Sequence, residues 1–321
     1  MSNKLHSCAM LDQGSLDPGD INLEPISTQF SHWQTYDNTS PAEVMSRLQS
    51  VDVVIVNKVI LDELIIRKNP QLKLICIAAT GVNNVDLVAA KNAGIAVCNV
   101  TGYATPSVVQ HVFSLILALQ DNVYEYSNRV FSGEWEQSEH FCLLNSGISE
   151  LQGKVLGIIG YGELGKAVEK VALAFGMTII KAESFSGKSV ESRVPLNDVL
   201  KQSDILTLHC PLSEYTENLI NSSAFLKMKP GAFLINTARG GIVNEADLLE
   251  AIENKTIAGA GLDVLSTEPP KNNPLLRKPR NNLIITPHIA WASQQSRQRL
   301  VDEIGKNIGA FMNNEKRNRV V

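Results

Sequence analysis

Short apolar runs of strand length alternate with helical stretches along most of the chain. In the first hundred residues, such runs at 53–56, 72–78 and 95–99 are separated by helical patterns. Parallel strands need crossover connections of this kind, because a tight turn can join only antiparallel strands. The alternation therefore predicts an α/β fold in which helices cover both faces of a parallel sheet.

A second series of the same kind begins at Lys154, after a stretch at 120–150 that breaks the alternation. Its strands are predicted at 155–159, 178–182, 205–209, 232–236, 259–264 and 283–286. An apolar helix at 105–119 precedes this series, and a last helix near 292–313 closes the chain. A length of 321 residues fits two domains of roughly 150 residues each.

Charge and composition exclude several classes of protein. The 29 Lys and Arg residues against 33 Asp and Glu give a net charge of −4, which leaves no cationic excess for nucleic acid. No apolar run approaches the ~20 residues of a membrane span, and the first residues lack an export signal. Five scattered cysteines without C-x-x-C spacing argue against disulfides and a zinc site. We expect a cytoplasmic protein with no metal, no membrane and no nucleic-acid partner.

A glycine motif, Gly160-x-Gly162-x-x-Gly165, follows a predicted strand and opens a predicted helix. The first glycine would make the tight turn, the second would admit a pyrophosphate, and the third would let the helix pack on the strand. The helix N-terminus offers N–H groups to phosphates. The motif predicts a dinucleotide site, although methyltransferases and flavoproteins use similar loops.

An acidic residue lies where such sites bind the adenosine ribose. Glu183 is 18 residues past Gly165, near the end of the second predicted strand. Its carboxylate would repel an added 2′-phosphate, which favours NAD and makes NADP the weaker expectation. Lys181 and Lys188 flank Glu183 and could invert that preference.

Three segments further along the chain each follow or include a predicted strand, at 236–244, 261–270 and 286–293. They therefore belong to the carboxyl edge of the sheet, where open α/β sheets bind ligands. Each brings one residue suited to the chemistry of a 2-oxo acid: Arg239, Glu268 and His288. Arginine offers a fork of donors, histidine can transfer a proton near neutral pH, and a carboxylate can orient the histidine. Taken singly, each could instead be a surface or loop residue. His111 is expected to be a satisfied core histidine, and His209 is expected to be structural or cofactor-lining, not catalytic.

The chain resembles the D-isomer-specific 2-hydroxyacid dehydrogenases, and most closely their glycerate dehydrogenase (hydroxypyruvate reductase) branch. The resemblance rests on the glycine loop, the three segments above, and ATGVNNVD at 79–86, GYATPSVV at 102–109 and LHCPL at 208–212. It covers nearly the whole chain and implies two doubly wound parallel-sheet domains. A Rossmann NAD-binding domain at 102–291 would be inserted in a flavodoxin-like substrate domain formed by 1–101 and 292–321.

The resemblance also implies roles for individual residues. Arg239 would bind substrate, Glu268 would partner the acid/base His288, and backbone N–H groups near Gly81 and Val82 would hold the substrate carboxylate. Asn57 and Lys58 complete the predicted substrate side, while Asn83 stands where many members have Asp. The implied cofactor contacts are Thr105, Gly160, Gly162, Glu163, Leu164, Gly165, Glu183, His209, Cys210, Pro211, Thr216, Thr237, Ala238, Arg239, Asp263, His288 and Ala290.

Two functions remain open at this point. The first is an enzyme that moves hydride between nicotinamide C4 and C2 of a small acid, with hydroxypyruvate and D-glycerate as first choice and glyoxylate and glycolate next. The second is a binding protein that senses NAD, as the family's corepressor relatives do. Turnover of NADH with an oxo acid discriminates between them.

The stretch at 105–150 predicts a homodimer. Its helix is apolar around more than one stripe and needs burial on several sides, more than the cofactor sheet is expected to cover. The loop after it carries Phe131, Trp135 and Phe141, aromatics of the kind enriched in interfaces. We expect this stretch to be the arm of a two-fold dimer, with His140 or Phe141 reaching the partner's substrate. The alternative is that these side chains fold back on their own domain.

Overall fold

The computed structural model describes residues 5–144, 147–185 and 192–321. The chain divides into two compact units. One, here called the terminal unit, consists of Met1–Ala104 and Trp291–Val321, and the other, the central unit, is Thr105–Ala290.

The terminal unit contains a five-stranded parallel sheet in the order β2-β1-β3-β4-β5, which is the flavodoxin-like order. Its strands are β1 (Ser7–Met10), β2 (His32–Thr35), β3 (Val53–Val56), β4 (Leu74–Ile77) and β5 (Ala96–Cys98). Its helices are α1 (Glu24–Ser27), α2 (Val44–Arg47), α3 (Glu63–Lys68), α4 (Leu87–Asn92) and, near the end of the chain, α11 (Gln294–Met312), with a 3-10 turn at Gln13–Ser15.

Side-chain types explain these elements. Strands β3 and β4 are buried along their whole length, as sequences of the type VVIV and LICI require. Helices α3 and α4 begin after Asp62 and Asp86, whose carboxylates accept hydrogen bonds from backbone N–H groups of the first turn. Asp86 is therefore a helix cap.

Two strands were absent from the sequence-based prediction, which began the first sheet at residue 53. Strand β1 has the sequence SCAM and β2 has HWQT. Strand β2 lies at the sheet edge and is mostly exposed, so polar residues are tolerated there. Strand β1, by contrast, carries the buried apolar run Cys8, Ala9 and Met10, so the prediction missed this strand although its sequence has part of the signal that marks β3 and β4.

The central unit contains a six-stranded parallel sheet in the order β11-β10-β9-β8-β6-β7. Its strands are β6 (Val155–Ile159), β7 (Thr178–Lys181), β8 (Ile205–Leu208), β9 (Phe233–Asn236), β10 (Gly259–Leu262) and β11 (Leu283–Ile285). Its helices are α5 (Thr105–Gln120), α6 (Val123–Phe131), α7 (Glu163–Ala174), α8 (Leu196–Gln202), α9 (Ser222–Phe225) and α10 (Glu245–Glu253), with 3-10 turns at Gly240–Ile242 and Pro274–Leu276.

The winding of this sheet reverses at β6, which lies between β7 and β8. Beyond β7, Val194 forms an isolated parallel bridge with Ala182. Doubly wound sheets bind ligands at the carboxyl ends of the strands around such a reversal. The two parallel sheets confirm the predicted α/β class.

Helix α5 corrects one expectation. Its buried apolar side chains are Val108, Val109, Val112, Phe113, Leu115, Ile116 and Leu119. Phe113 stacks on Phe175 with 5.5 Å between ring centroids, and a Cβ at Gly261 of β10 would lie 3.0 Å from Leu115 Cβ. The sheet covers only part of α5, as expected, and α7 with Phe175 covers another part. These side chains are therefore buried within this chain, and the inference that α5 needs a second copy for its burial was wrong.

The stretch after α5 was predicted as a loop, but residues 123–131 form the amphipathic helix α6. No residue of α6 is buried, which explains why its sequence carries no core signal. Among the described residues, no helix combines the length and apolar character that a membrane crossing requires.

Candidate active site

The glycine loop joins β6 to α7. Gly160 has φ +91°, and a Cβ there would lie 2.3 Å from the backbone nitrogen of Cys210. A Cβ at Gly165 would lie 2.4 Å from the Gly160 carbonyl oxygen, whereas one at Gly162 would meet nothing within 4 Å. The first and third glycines therefore permit close packing, and the second presents open backbone at the start of a helix, as a bound phosphate requires.

The first turn of α7 carries Glu163, whose carboxylate accepts a 2.5 Å hydrogen bond from the Thr105 hydroxyl. Gly162 and Glu163 are exposed, and Leu164 is half-buried. The structure thus brings the predicted contact Thr105, at the start of α5, to the phosphate end of the glycine loop.

Two buried polar atoms lie near the carboxyl ends of β8 and β9. His209 Nδ1 and Thr237 Oγ1 have no hydrogen-bond partner among the described residues. His209 Nε2 is 3.0 Å from Thr207 Oγ1, and burial lowers the pKa of His209 to about 4. Unsatisfied buried polar atoms cost roughly 1–3 kcal/mol each. Both residues are predicted cofactor contacts, so the residues present fit a bound dinucleotide.

The turn after β8 uses its polar groups internally. The Thr216 hydroxyl donates to the Pro211 carbonyl at 2.7 Å and accepts from the Ser213 N–H at 2.8 Å. Thr216 is buried, and burial raises the pKa of Cys210 to about 11. These two predicted contacts therefore shape the turn with neutral side chains.

His288 and Glu268 form a close pair. His288 Nδ1 lies 2.6 Å from Glu268 Oε2, and Glu268 Oε1 accepts a 3.0 Å hydrogen bond from the Leu265 N–H. An ionised carboxylate can only accept, so Nδ1 carries the donated proton and Nε2 is on the opposite side of the ring. His288 has φ +56°, an uncommon backbone conformation that marks constrained sites.

A buried carboxylate constrains the loop that carries His288. Asp263 accepts hydrogen bonds from the N–H groups of Ile289 at 2.9 Å and Ala290 at 2.8 Å, and from the Thr286 hydroxyl at 2.6 Å. The Asp263 carbonyl accepts from the His288 N–H at 2.8 Å. Asp263 thus accepts four hydrogen bonds, and these bonds fix the loop around the histidine.

His111 of α5 extends this network, because its Nε2 lies 2.8 Å from Thr286 Oγ1. His111 is therefore hydrogen-bonded, as expected of a satisfied core histidine, and its partner Thr286 also binds Asp263. Thr286 was not singled out from sequence, since a lone threonine at a strand end carries no distinctive signal.

Arg239 is exposed at the end of β9, and its guanidinium donates to the Ala238 carbonyl at 2.7 Å. The buried Asn236 amide holds this turn through bonds to Ala238 N–H at 3.0 Å and the Arg239 carbonyl at 2.9 Å. A Cβ at Gly240 would lie 1.9 Å from the Leu265 carbonyl carbon. The loop carrying Arg239 therefore packs directly on the loop that carries the glutamate.

Sequence reasoning missed Glu245, at the start of α10. Its carboxylate accepts from Ser266 N–H at 2.6 Å, Ser266 hydroxyl at 2.9 Å and Asn273 Nδ2 at 2.7 Å. These bonds brace the loop that includes Glu268. An acidic residue in a first helical turn is common, so nothing in the sequence distinguished it.

In the terminal unit, the predicted substrate residues Asn57 and Lys58 follow β3. The carboxylate of buried Asp12, which sequence reasoning also missed, accepts from the N–H groups of Asn57 at 2.9 Å, Lys58 at 2.5 Å and Val59 at 3.1 Å. The Asn57 amide donates to the Ser15 hydroxyl at 2.9 Å. Lys58 lines a cavity of about 580 Å³, while the Asn57 side chain serves the loop.

The predicted anion-binding residues Gly81 and Val82 follow β4. Their backbone N–H groups make no hydrogen bond with any described residue, and both residues are half-buried. Adjacent N–H groups of this kind are suited to a carboxylate. Asn83, the departure from the family pattern, is exposed beside them.

Comparisons with known proteins place this site in a family. A family profile described as the D-isomer specific 2-hydroxyacid dehydrogenase, NAD binding domain, matches residues 113–290. The chain therefore belongs to the D-isomer specific 2-hydroxyacid dehydrogenases, an enzyme family with a nicotinamide cofactor. This finding supports the enzyme over the NAD-sensing binding protein.

Individual relatives show which members of the family the chain is similar to. The glycerate dehydrogenase of Methylorubrum extorquens is 43% identical over 308 residues, covering 95% of this chain and 97% of the relative. The hydroxypyruvate reductase of Blautia hydrogenotrophica is 38% identical over 311 residues, covering 94% and 96%. A solved acyclic imino acid reductase in complex with NADPH and D-Arg has a TM-score of 0.86 at 28% identity, covering 98% of this chain and 100% of that chain.

Proposed function

We propose that the protein interconverts hydroxypyruvate and D-glycerate with NAD as cofactor. The observation that carries this proposal is the 2.6 Å pair of His288 and Glu268, at the carboxyl edge of a sheet whose glycine loop fits a dinucleotide. The names of the two relatives support hydroxypyruvate over other short oxo acids.

The cofactor would be held by this chain at three places. Backbone at Gly162 and the first turn of α7 would bind the pyrophosphate, Glu183 the adenosine ribose, and His209 and Thr237 would gain partners for their buried atoms. When bound, the nicotinamide supplies the hydride for reduction and accepts it in oxidation. The other predicted contacts, including Asp263 and Ala290, belong to the same proposal.

His288 would exchange the proton. In reduction, the imidazolium gives a proton from Nε2 to the carbonyl oxygen at C2, and in oxidation the neutral ring takes it back. Glu268 holds the ring through Nδ1. The constrained backbone at His288 fixes where that proton is delivered.

Arg239 would bind the substrate carboxylate and polarise the carbonyl, because its planar guanidinium matches two oxygens at once. From the terminal unit, we propose that the N–H groups of Gly81 and Val82 bind the carboxylate and that Lys58 binds the polar end of the substrate. The assignment is supported by these two N–H groups, which have no hydrogen-bond partner among the described residues.

NAD is favoured over NADP by Glu183, which is exposed just beyond β7 and would repel a 2′-phosphate. The similar imino acid reductase binds NADPH, so residues of this chain must decide the preference. Of the two lysines that could invert it, Lys181 is paired with Glu169 at 2.8 Å, and Lys188 lies outside the described residues.

The test is turnover with direct comparison of substrates and cofactors. Protein mixed with NADH and hydroxypyruvate should consume NADH. The kcat/KM should be higher for hydroxypyruvate than for glyoxylate or pyruvate, and higher with NADH than with NADPH. Differences of one small group are worth only ~1–3 kcal/mol, so ratios of kcat/KM are the decisive quantity. A protein that binds NADH but reduces no 2-oxo acid would be a binding protein instead.

We also propose a homodimer built on residues 123–144, and not on α5. Phe131 is 88% exposed and Phe141 is 91% exposed, and aromatic residues of this kind are enriched in interfaces. Light scattering should give twice the 35.1 kDa chain mass, and Phe131→Ser with Phe141→Ser should give the monomer. A wild-type monomer contradicts the proposal.

The free thiols of all five cysteines support a reducing, cytoplasmic location.

A further inference from the structure

A cluster of polar side chains joins the glycine loop, α7 and the end of β7. Lys181 Nζ lies 2.8 Å from Glu169 Oε1 and 4.4 Å from the centroid of the Tyr161 ring. The Tyr161 hydroxyl donates to the other carboxylate oxygen of Glu169. We call these three residues the Lys181 cluster.

The cluster adjoins the proposed ribose site. Lys181 and Glu183 are two residues apart on extended backbone, where Ala182 bridges to Val194. Alternate residues of a strand point to the same face, so both side chains leave the backbone on one side. A lysine on that face, with its long stem and ammonium group, is the kind of residue that would bind a 2′-phosphate.

We propose that Glu169 withholds Lys181 from the adenosine ribose, and that this pair acts with Glu183 to select NAD against NADP. The proposal rests on the proposed placement of the ribose at Glu183. Glu169 is then a positioning residue for cofactor specificity, acting through the direction in which it holds Lys181.

The electrostatics of the pair favour this arrangement. The side chains of Lys181 and Glu169 are 19% and 18% exposed, so water screens them less than it screens a surface pair. The hydrogen bond to Glu169 raises the pKa of Lys181. Although partial burial opposes it, hydrogen bonding from Lys181 and Tyr161 lowers the pKa of Glu169. Both groups therefore stay charged at neutral pH.

A second cation also lies near the tyrosine. The Arg193 guanidinium carbon is 5.7 Å from the centroid of the Tyr161 ring, on the segment that pairs with Lys181 through backbone hydrogen bonds. Any test must therefore separate the lysine from this arginine.

The experiment measures binding directly, by fluorescence titration of NADH and NADPH against the full chain. The proteins are wild type, Glu169→Gln, and the double variants Glu169→Gln with Lys181→Met and Glu169→Gln with Arg193→Gln. Glu250→Gln, an exposed position on α10, is the control for the same loss of charge.

Glu169→Gln should lower the Kd for NADPH about tenfold, the order expected for a new ammonium–phosphate bond, and leave the Kd for NADH within about twofold. Adding Lys181→Met should cancel the gain, whereas adding Arg193→Gln should keep most of it. Glu250→Gln should resemble wild type with both cofactors.

The outcomes separate this proposal from the function proposed above. The wild type could prefer NADH while Glu169→Gln leaves that preference unchanged, or while tighter NADPH binding in Glu169→Gln persists after Lys181→Met is added. Either result overturns the role of Glu169 and leaves the Glu183 assignment intact. A wild type that binds NADPH as tightly as NADH overturns the Glu183 assignment and this proposal together.

A second measurement needs no variant to fold. Brief acetylation of the wild type, followed by peptide mass spectrometry, should modify Lys181 more slowly than Lys201, which is exposed at the end of α8. Equal rates would mean that Glu169 does not hold the ammonium, and would overturn the proposal.

Discussion

The carboxyl edges of the two parallel sheets are completed in different ways. In the terminal unit, the buried Asp12 carboxylate takes three backbone N–H groups of the loop after β3. In the central unit, His209 Nδ1 and Thr237 Oγ1 are buried without partners among the described residues. Since such buried atoms cost roughly 1–3 kcal/mol each, the central edge is built to be finished by a ligand, whereas the N–H groups of Gly81 and Val82 at the terminal edge, which also lack a partner among the described residues, are only half-buried.

The edges also differ in the groups they present. The central unit offers a histidine paired with a carboxylate, whereas the terminal unit offers backbone N–H groups and a lysine. Proton transfer affects kcat, while binding contacts made equally in ground and transition states affect KM. We therefore expect substitution of the proton donor in the central unit to lower kcat, and substitution of Lys58 in the terminal unit to raise KM.

The largest effect is expected from His288→Ala. Removing the proton donor should lower kcat roughly 10²–10⁴-fold, the usual contribution of a general acid, and leave the Kd for NADH nearly unchanged. Steady-state kinetics and fluorescence titration measure the two quantities. His6→Ala, at an exposed position of the terminal unit, is the control. If the variant keeps the wild-type kcat, then His288 is not the proton donor and the central edge does not carry the proton transfer.

Arg239→Lys should have the next largest effect. The substitution keeps the charge but loses the planar fork, so kcat/KM for the oxo acid should fall roughly 10–100-fold, as for a lost charge-assisted hydrogen bond. Arg277→Lys, an exposed position, controls for the change of residue type. An unchanged kcat/KM would exclude Arg239 from substrate binding and weaken the contrast between the units.

The unfinished central edge should also make stability sensitive to acid. Burial lowers the pKa of His209 to about 4, below its ordinary value of roughly 6.5 in the unfolded chain. The folded state thus resists protonation, and its stability is retained above the unfolded pKa and falls as the pH decreases toward 4. From this group alone the loss is on the order of 2 kcal/mol by about pH 5.

His209→Gln should remove that part of the acid sensitivity, because its amide does not titrate. Urea unfolding at about pH 7.5 and about pH 5 measures the loss in each protein. The variant is expected to lose less stability than wild type over this interval, whatever its stability at the higher pH. Equal losses in both proteins would show that His209 is not held neutral by burial.

The difference between buried and exposed elements explains which parts of the fold the sequence could predict. Strand β6 has the predicted bounds, and helices α5 and α11 begin and end within two residues of theirs, because buried strands and helices with a buried face leave clear patterns in the sequence. Strand β2 and helix α6 escaped, because an exposed edge strand and a helix with no buried residue carry no core pattern.

Within the site, motifs revealed the residues whose chemistry is distinctive, and missed those that act on distant backbone. Asp12 binds the N–H of a loop 45 residues further along the chain, and Glu245 binds the N–H of Ser266, 21 residues further along. No local spacing encodes such partners. Only the fold brings them together, so a single sequence cannot separate them from ordinary polar residues.

Lys58→Met should give the smallest of these effects, and it tests the other half of the comparison. The substitution keeps the length of the side chain and removes the ammonium group, while the loop remains fixed by Asp12 through its backbone. KM for hydroxypyruvate should rise about tenfold, as expected for one lost charged contact, with kcat nearly unchanged. Lys68→Met, exposed at the end of α3, is the matched control. A fall in kcat with unchanged KM would instead assign Lys58 to the chemical step, and the division of labour between the two edges would be wrong.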